Sequence, residues 1–161
     1  MGSEMCIRDS NKPYAQSATA TLGQKPIKII NAHLASPAIA VENKEKFFSL
    51  YYQNYKVRSK QLKELNKFSE SQSDKISCQF MVGDLNTLKF EPIFKRLKYK
   101  WVNTNNQRDL GYRGNFPNSS KAPSFLTLDY ILAKGKAKHL NTKVIRKGSS
   151  DHYPIIATFE I

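Results

Sequence analysis

The sequence predicts a mixed α/β sandwich. Short runs rich in apolar and β-branched residues recur along the chain, one long segment carries apolar residues at helical spacing, and polar stretches rich in Gly, Pro and Asn separate them. With 40% hydrophobic and 11% aromatic residues in 161, the chain can bury a core within one domain. No apolar run approaches the ~20 residues that a membrane-crossing helix needs.

The elements follow in order. "AQSATATL" (Ala15–Leu22) and "IKIINAHL" (Ile27–Leu34) flank the turn "GQKP" and predict a hairpin. From Val41 to Phe68 the residues Phe47, Leu50, Tyr51, Tyr55, Leu62, Leu65 and Phe68 recur at spacings of three, four and seven, which predicts an amphipathic helix; its lysines read as a solvated face. "ISCQFMV" (Ile76–Val82) predicts a buried strand, "GDLNT" a loop, and "FEPIFKRLK" a short helix with Pro92 in its first turn. Residues 103–124 predict a long loop. "FLTLDYILAK", "HLNTKVIRK" and "YPIIATFEI" predict three closing strands.

Lys and Arg number 26 against 13 Asp and Glu, a formal net charge of +13, which favours polyanionic partners: nucleic acid, phosphorylated metabolites or anionic lipid heads. The opening "MGSEMCIRDS" resembles a translated sequencing adapter. On that reading residues 1–10 are not native sequence and stay out of fold reasoning, the domain is 11–161, and no targeting signal or localisation can be read. Cys6 then drops out, and Cys78 alone makes no intrachain disulfide.

Four short stretches carry acids, amides or histidines at predicted strand ends: Asn31-Ala-His33, Gly83-Asp84-Leu85-Asn86, Asp129, and Asp151-His152 in "SSDHYP". Taken singly, each reads as a turn, a cap or a solvated side chain. Asp129 resists that reading, because a carboxylate between Leu128 and Tyr130 in an apolar strand is costly to bury unless a partner meets it. Histidine is a suitable partner, and an acid on its far nitrogen fixes the tautomer and stabilises the imidazolium. Asp84 and Asn86 share a side if their loop is extended. Such a set suits phosphate-ester hydrolysis, which needs an activated water and neutralised phosphate oxygens, and carboxylates at several strand ends suit Mg²⁺.

In this order, N-x-H, G-D-x-N, a hydrophobic-Asp-Tyr-Ile strand and S-D-H-x-P resemble the endonuclease/exonuclease/phosphatase superfamily, over nearly all of Pro13 to Ile161. The resemblance implies the DNase-like fold, a four-layered α/β sandwich, of which this chain supplies the C-terminal portion without the first strands. It implies that His152 is the general base or contacts phosphate, oriented by Asp129. His33 would contact phosphate and protonate the leaving oxygen, and Asp84 and Asn86 would position the attacking water. Asn31 would bind substrate or serve only strand-end geometry. Asp151 would bind or orient the metal, Mg²⁺ with Mn²⁺ as substitute. The family's Asn near the first strand and its principal metal-ligating Glu have no match here, so the resemblance also implies a truncated gene product, weak in catalysis by itself.

The charge favours a nuclease-like phosphodiesterase, a monomer whose Arg108, Arg113 and Lys121 would reach backbone phosphates. Two alternatives stay open: a phosphodiesterase of phospholipid headgroups or inositol phosphates from the same superfamily, and a non-catalytic basic fragment that binds nucleic acid.

Overall fold

The computed structural model describes residues 5–9, 12–37, 44–71, 75–98, 100–104, 114–118 and 123–161. The expected hairpin forms with a tighter turn: β2 (Lys12–Leu22) and β3 (Lys25–Ala32) pair antiparallel around Gly23, whose φ of 61° suits a glycine, from Ala15 against Ala32 to Leu22 against Lys25, so Lys25 and Pro26 belong to β3. A strand β1 (Met5–Asp9) adds to the edge of β2, with a register shift between Ile7 and Arg8. The adapter reading left this segment out of the fold; edge pairing uses main-chain groups that any sequence carries.

The amphipathic segment is helix α1 (Phe47–Glu70), preceded by a 3-10 turn over Lys44–Lys46. Residues 41–43 of the expected helix lie outside the described residues. α1 crosses over from β3 to β4 (Cys78–Asp84), which lies parallel to β3, as a parallel pair requires. Helix α2 (Pro92–Lys98) follows the "GDLNT" loop with Pro92 at its first position. Two residues, Val102 and Asn103, form a short β5 that the sequence reading did not predict; it began the long loop at Asn103. β6 (Asp129–Gly135) pairs antiparallel with β4 and β5, giving a six-stranded sheet of order β1-β2-β3-β4-β6-β5. β7 (Lys138–Val144) and β8 (Ile155–Glu160) form a separate antiparallel pair.

Strand alternation sends side chains to both faces of the large sheet. Ile30, Met81, Tyr130 and Leu132 meet Leu62 and Leu65 of α1, Phe94 and Leu97 of α2, and Trp101. On the other face Ile27, Cys78, Phe80 and Ala133 meet Phe159 and Ile161, with the Phe80 and Phe159 rings 4.7 Å apart. The described residues therefore stack in three layers, helices, large sheet and small sheet, a mixed α/β arrangement matching part of the expected sandwich.

Leu65 is fully buried between α1 and the sheet. Leu65→Ala is expected to destabilise the fold by about 2–5 kcal/mol, read as a lower urea midpoint with an unchanged slope.

Candidate active site

Asp84 ends β4, and Asp129 opens β6 directly opposite it. The approach to Asp84 is tight. Gly83 has a φ of 117°, and a Cβ there would stand 2.3 Å from the Ala32 carbonyl oxygen of β3. Only glycine lets the two parallel strands stay paired to the end, which sets Asp84 beside the loop that carries His33. The Leu34 N–H donates to the Asp84 carbonyl at 3.0 Å, and the Leu85 N–H to that of Leu128 at 2.9 Å.

Asp129 is held from two sides. One carboxylate oxygen, Oδ2, accepts from Asn115 Nδ2 and meets His152 Nδ1, both at 2.5 Å. Asn115 is 1% exposed, and its Oδ1 accepts the Leu128 N–H at 3.1 Å. Its main chain also fixes the histidine loop, since the Tyr153 N–H donates to the Asn115 carbonyl at 2.8 Å. Asn118 fastens the same loop through Ser150 O at 2.7 Å and Gly148 O at 3.2 Å. Gly114 permits this, because a Cβ there would overlap the Leu126 carbonyl at 1.9 Å. The Phe116 ring packs 4.7 Å from the His152 ring.

Asp84 and Asn86 do not follow an extended loop. Asn86 has a φ of 47°, its N–H donates to Asp84 Oδ1 at 2.8 Å, and its Nδ2 donates to Asp84 Oδ2 at 3.1 Å and to the Leu34 carbonyl at 3.0 Å. This is an Asx-type turn, which left-handed Asn tolerates well. Asn86 spends its amide on orienting Asp84 and tying the two loops together.

A buried ion pair braces the floor. Arg58 of α1 reaches both carboxylate oxygens of Glu91, at 3.3 and 3.2 Å, while Glu91 Oε1 also accepts from the Tyr51 hydroxyl at 2.8 Å and the Leu88 N–H at 3.3 Å. Neither residue was singled out from the sequence. The signal was present, because Arg58 lies four and seven residues before Leu62 and Leu65, on the apolar stripe of its helix.

His33, Asp84, Asn86, Asp129, Asp151 and His152 all line one cavity of about 860 Å³, with Phe47, Tyr51 and Phe116 among its aromatic walls. His33 is 74% exposed, with Nε2 3.7 Å from Asp84 Oδ2. Asp151 stands exposed at the rim, accepting from Ser150 Oγ at 3.4 Å. Asn31 is exposed on β3 and is not among the cavity-lining residues. Arg113, with Arg108 and Lys121, lies outside the described residues. Among the described residues no three His, Cys, Asp or Glu side chains converge as a metal site. Asp129 is committed to Asn115 and His152, and Asp84 to Asn86. Asp151, the expected ligand, has no two further such side chains grouped with it among the described residues, so these residues do not by themselves fit the expected Mg²⁺ or Mn²⁺.

Burial by itself pulls the His152 pKa down, but its hydrogen bond to Asp129, and then the charges of Asp129, Asp84 and Asp151, carry it above the ordinary histidine value. Burial raises the Asp84 pKa; the Asn86 N–H opposes this and the facing Asp129 charge adds to it. The arrangement can therefore hold an imidazolium against an anionic oxygen, beside a carboxylate more basic than usual.

Two stability outcomes follow from these signs. His152 favours the folded state in its protonated form, so its contribution is complete below its unfolded pKa of about 6.5 and disappears as pH rises through the raised folded value. Melting curves should show that alkaline decline in the parent and a flatter one in His152→Gln. Asp84 has the opposite effect at neutral pH, since its ionised form is disfavoured on folding. Asp84→Asn keeps an acceptor for the Asn86 N–H and is expected to raise the melting temperature near pH 7. A lower value there would contradict the assignment.

The family model described as Endonuclease/Exonuclease/phosphatase family matches residues 15–152. No curated protein matches the chain. Among solved structures, the chain is similar to a functionally unknown conserved protein from Enterococcus faecalis V583, at 24% identity and a TM-score of 0.63, covering 92% of this chain and 56% of that one. It is similar to the mannosyl-6-phosphatase of Bacteroides thetaiotaomicron VPI-5482, at 13% identity and a TM-score of 0.74, covering 100% and 66%. It is also similar to D. rerio TDP2 complexed with a single-strand DNA product, at 15% identity and a TM-score of 0.68, covering 100% and 67%. These likenesses show the DNase-like fold, and the chain spans between about half and two thirds of those proteins.

Proposed function

We propose a water-dependent phosphoester cleavage for this chain, which belongs to the endonuclease/exonuclease/phosphatase family, and within that family a nuclease-like phosphodiesterase. The observation that supports it best is the Asn115–Asp129–His152 chain of hydrogen bonds. It engages the His152 Nδ1 and leaves Nε2 as the nitrogen available to a cavity that also holds Asp84 and His33.

The chemistry follows from the charges. His152, kept protonated by Asp129, binds a phosphate oxygen through Nε2 and draws charge off it as the transition state forms. Asp84, oriented by Asn86, accepts the proton of the attacking water. In this reading His33, exposed at the mouth, gives a proton to the leaving oxygen. Asn115 positions Asp129 and touches no substrate. No step runs through a metal. A formal net charge of +13 favours a polyanionic substrate over a neutral one.

Hydrolysis of bis(p-nitrophenyl) phosphate and of DNA tests the assignment. His152→Ala is expected to lower kcat by about 10²–10³-fold. The rate should rise with pH through the raised Asp84 value and fall through the raised His152 value. Asp129→Asn removes the ion pair that holds His152 protonated, so the falling limb should move to lower pH. Cleavage of sphingomyelin or mannose 6-phosphate with none of DNA would replace the nuclease-like reading. Full activity in His152→Ala would end the hydrolytic one.

A further inference from the structure

We propose that the outer face of α1 is a binding track for single-stranded nucleic acid leading away from the cavity; the identity of the ligand rests on the nuclease-like reading above. Phe48, Tyr52, Lys56, Lys60, Lys63 and Lys67 are all exposed and succeed one another at steps of three or four residues. At 3.6 residues per turn they make one stripe, opposite the buried Arg58, Leu62 and Leu65. The core therefore makes no use of this face, yet its upper end carries two aromatic rings in water, Phe48 at 86% exposure and Tyr52 at 57%.

Those rings continue a wall of the cavity. Phe47 and Tyr51, each one residue earlier, line it, and the Phe47 ring meets the Phe48 ring edge-on at 5.3 Å. Lys56 Nζ lies 4.5 Å from the Tyr52 ring centroid, so the aromatic part passes directly into the basic part. At the lower end Lys63 and Lys67 rim a cleft of about 450 Å³ between α1 and α2, with Arg96 and Lys100 on the facing side. The acid lining that cleft, Glu70, is ion-paired with Lys100. The stripe runs about 29 Å from Phe48 to Lys67 at 1.5 Å per residue.

Flat rings on which bases stack, followed by cations that track a backbone, is the combination by which proteins bind single strands without reading sequence. Successive i, i+4 side chains stand about 5–6 Å apart, close to the step between phosphates of an extended strand. An anionic bilayer is the competing ligand for a basic face with aromatics. A membrane-surface helix buries a broad apolar face in lipid, however, and here that face is already in the core.

Fluorescence anisotropy with a labelled oligothymidylate of about 20 nucleotides tests the track. In Lys56→Gln/Lys63→Gln/Lys67→Gln the log–log salt slope should shrink by about 2, at roughly 0.7 per lost phosphate contact, with binding at least about tenfold weaker near 0.1 M salt. In Phe48→Ala/Tyr52→Ala binding should weaken by about tenfold with the slope unchanged, since stacking releases no counterions. Gln and Ala are good helix formers, so circular dichroism should match the parent. Hydrolysis of bis(p-nitrophenyl) phosphate by both variants should equal that of the parent. An inactive parent would therefore count against the hydrolase reading, while anisotropy still decides the track. The proposal is overturned if the parent does not bind the oligonucleotide or if both variants bind it as the parent does. It is equally overturned if the substitutions abolish binding to phosphatidylglycerol vesicles and leave oligonucleotide binding intact.

Discussion

The architecture of the site depends on one carboxylate oxygen. Asp129 Oδ2 is where the large sheet, the Asn115 segment and the loop before β8 meet. β6 supplies the acid, Asn115 turns it, and His152 closes on it. Without Asn115, the same acid would face Asp84 across the sheet with one donor fewer. Like charges directly opposite on paired strands repel, and each acid here has its own amide and imidazole to offset this: Asn86 and His33 for Asp84, Asn115 and His152 for Asp129. Two carboxylates, two amides and two imidazoles thus form one connected set around the facing acids.

Much of the fold was legible because periodicity reports burial directly. The β2–β3 hairpin, the buried β4 and the length of α1 all followed from spacing. β5 was missed because two residues carry no period of their own. Its pairing is imposed by β6, from about 30 residues further on. His33, Asp84, Asn86, Asp129, Asp151 and His152, which line one cavity, could be singled out because their chemistry is conspicuous and they lie near strand ends. The errors concern geometry. The condition set for Asp84 and Asn86, an extended loop, is not met, because asparagine's ease in the left-handed region allows the turn that is observed. Asn115 went unnoticed in a segment that reads as polar loop, since nothing local distinguishes a positioning amide from a solvated one.

α1 shows how one helix can serve three purposes. Its inner stripe packs on the sheet, its first turns place Phe47 and Tyr51 in the cavity wall, and its outer stripe carries aromatics and lysines. The lysines on that stripe are exposed, as the sequence reading of a solvated face expected. Arg58 is the exception on the inner stripe. A buried ion pair is weak support for stability, because desolvation offsets the attraction. Its partner Glu91 also holds Tyr51 and the Leu88 main chain. The pair thereby fixes how the helix meets the loop that follows Asp84.

Gly83 has an implication for how this gene can vary. Every single-base change in a glycine codon that alters the amino acid adds a Cβ or ends translation, and here a Cβ would collide with the Ala32 carbonyl. No one-step replacement is neutral at that codon. Random drift can rewrite much of the surface, but the crossing point before Asp84 can be passed only if β3 moves at the same time.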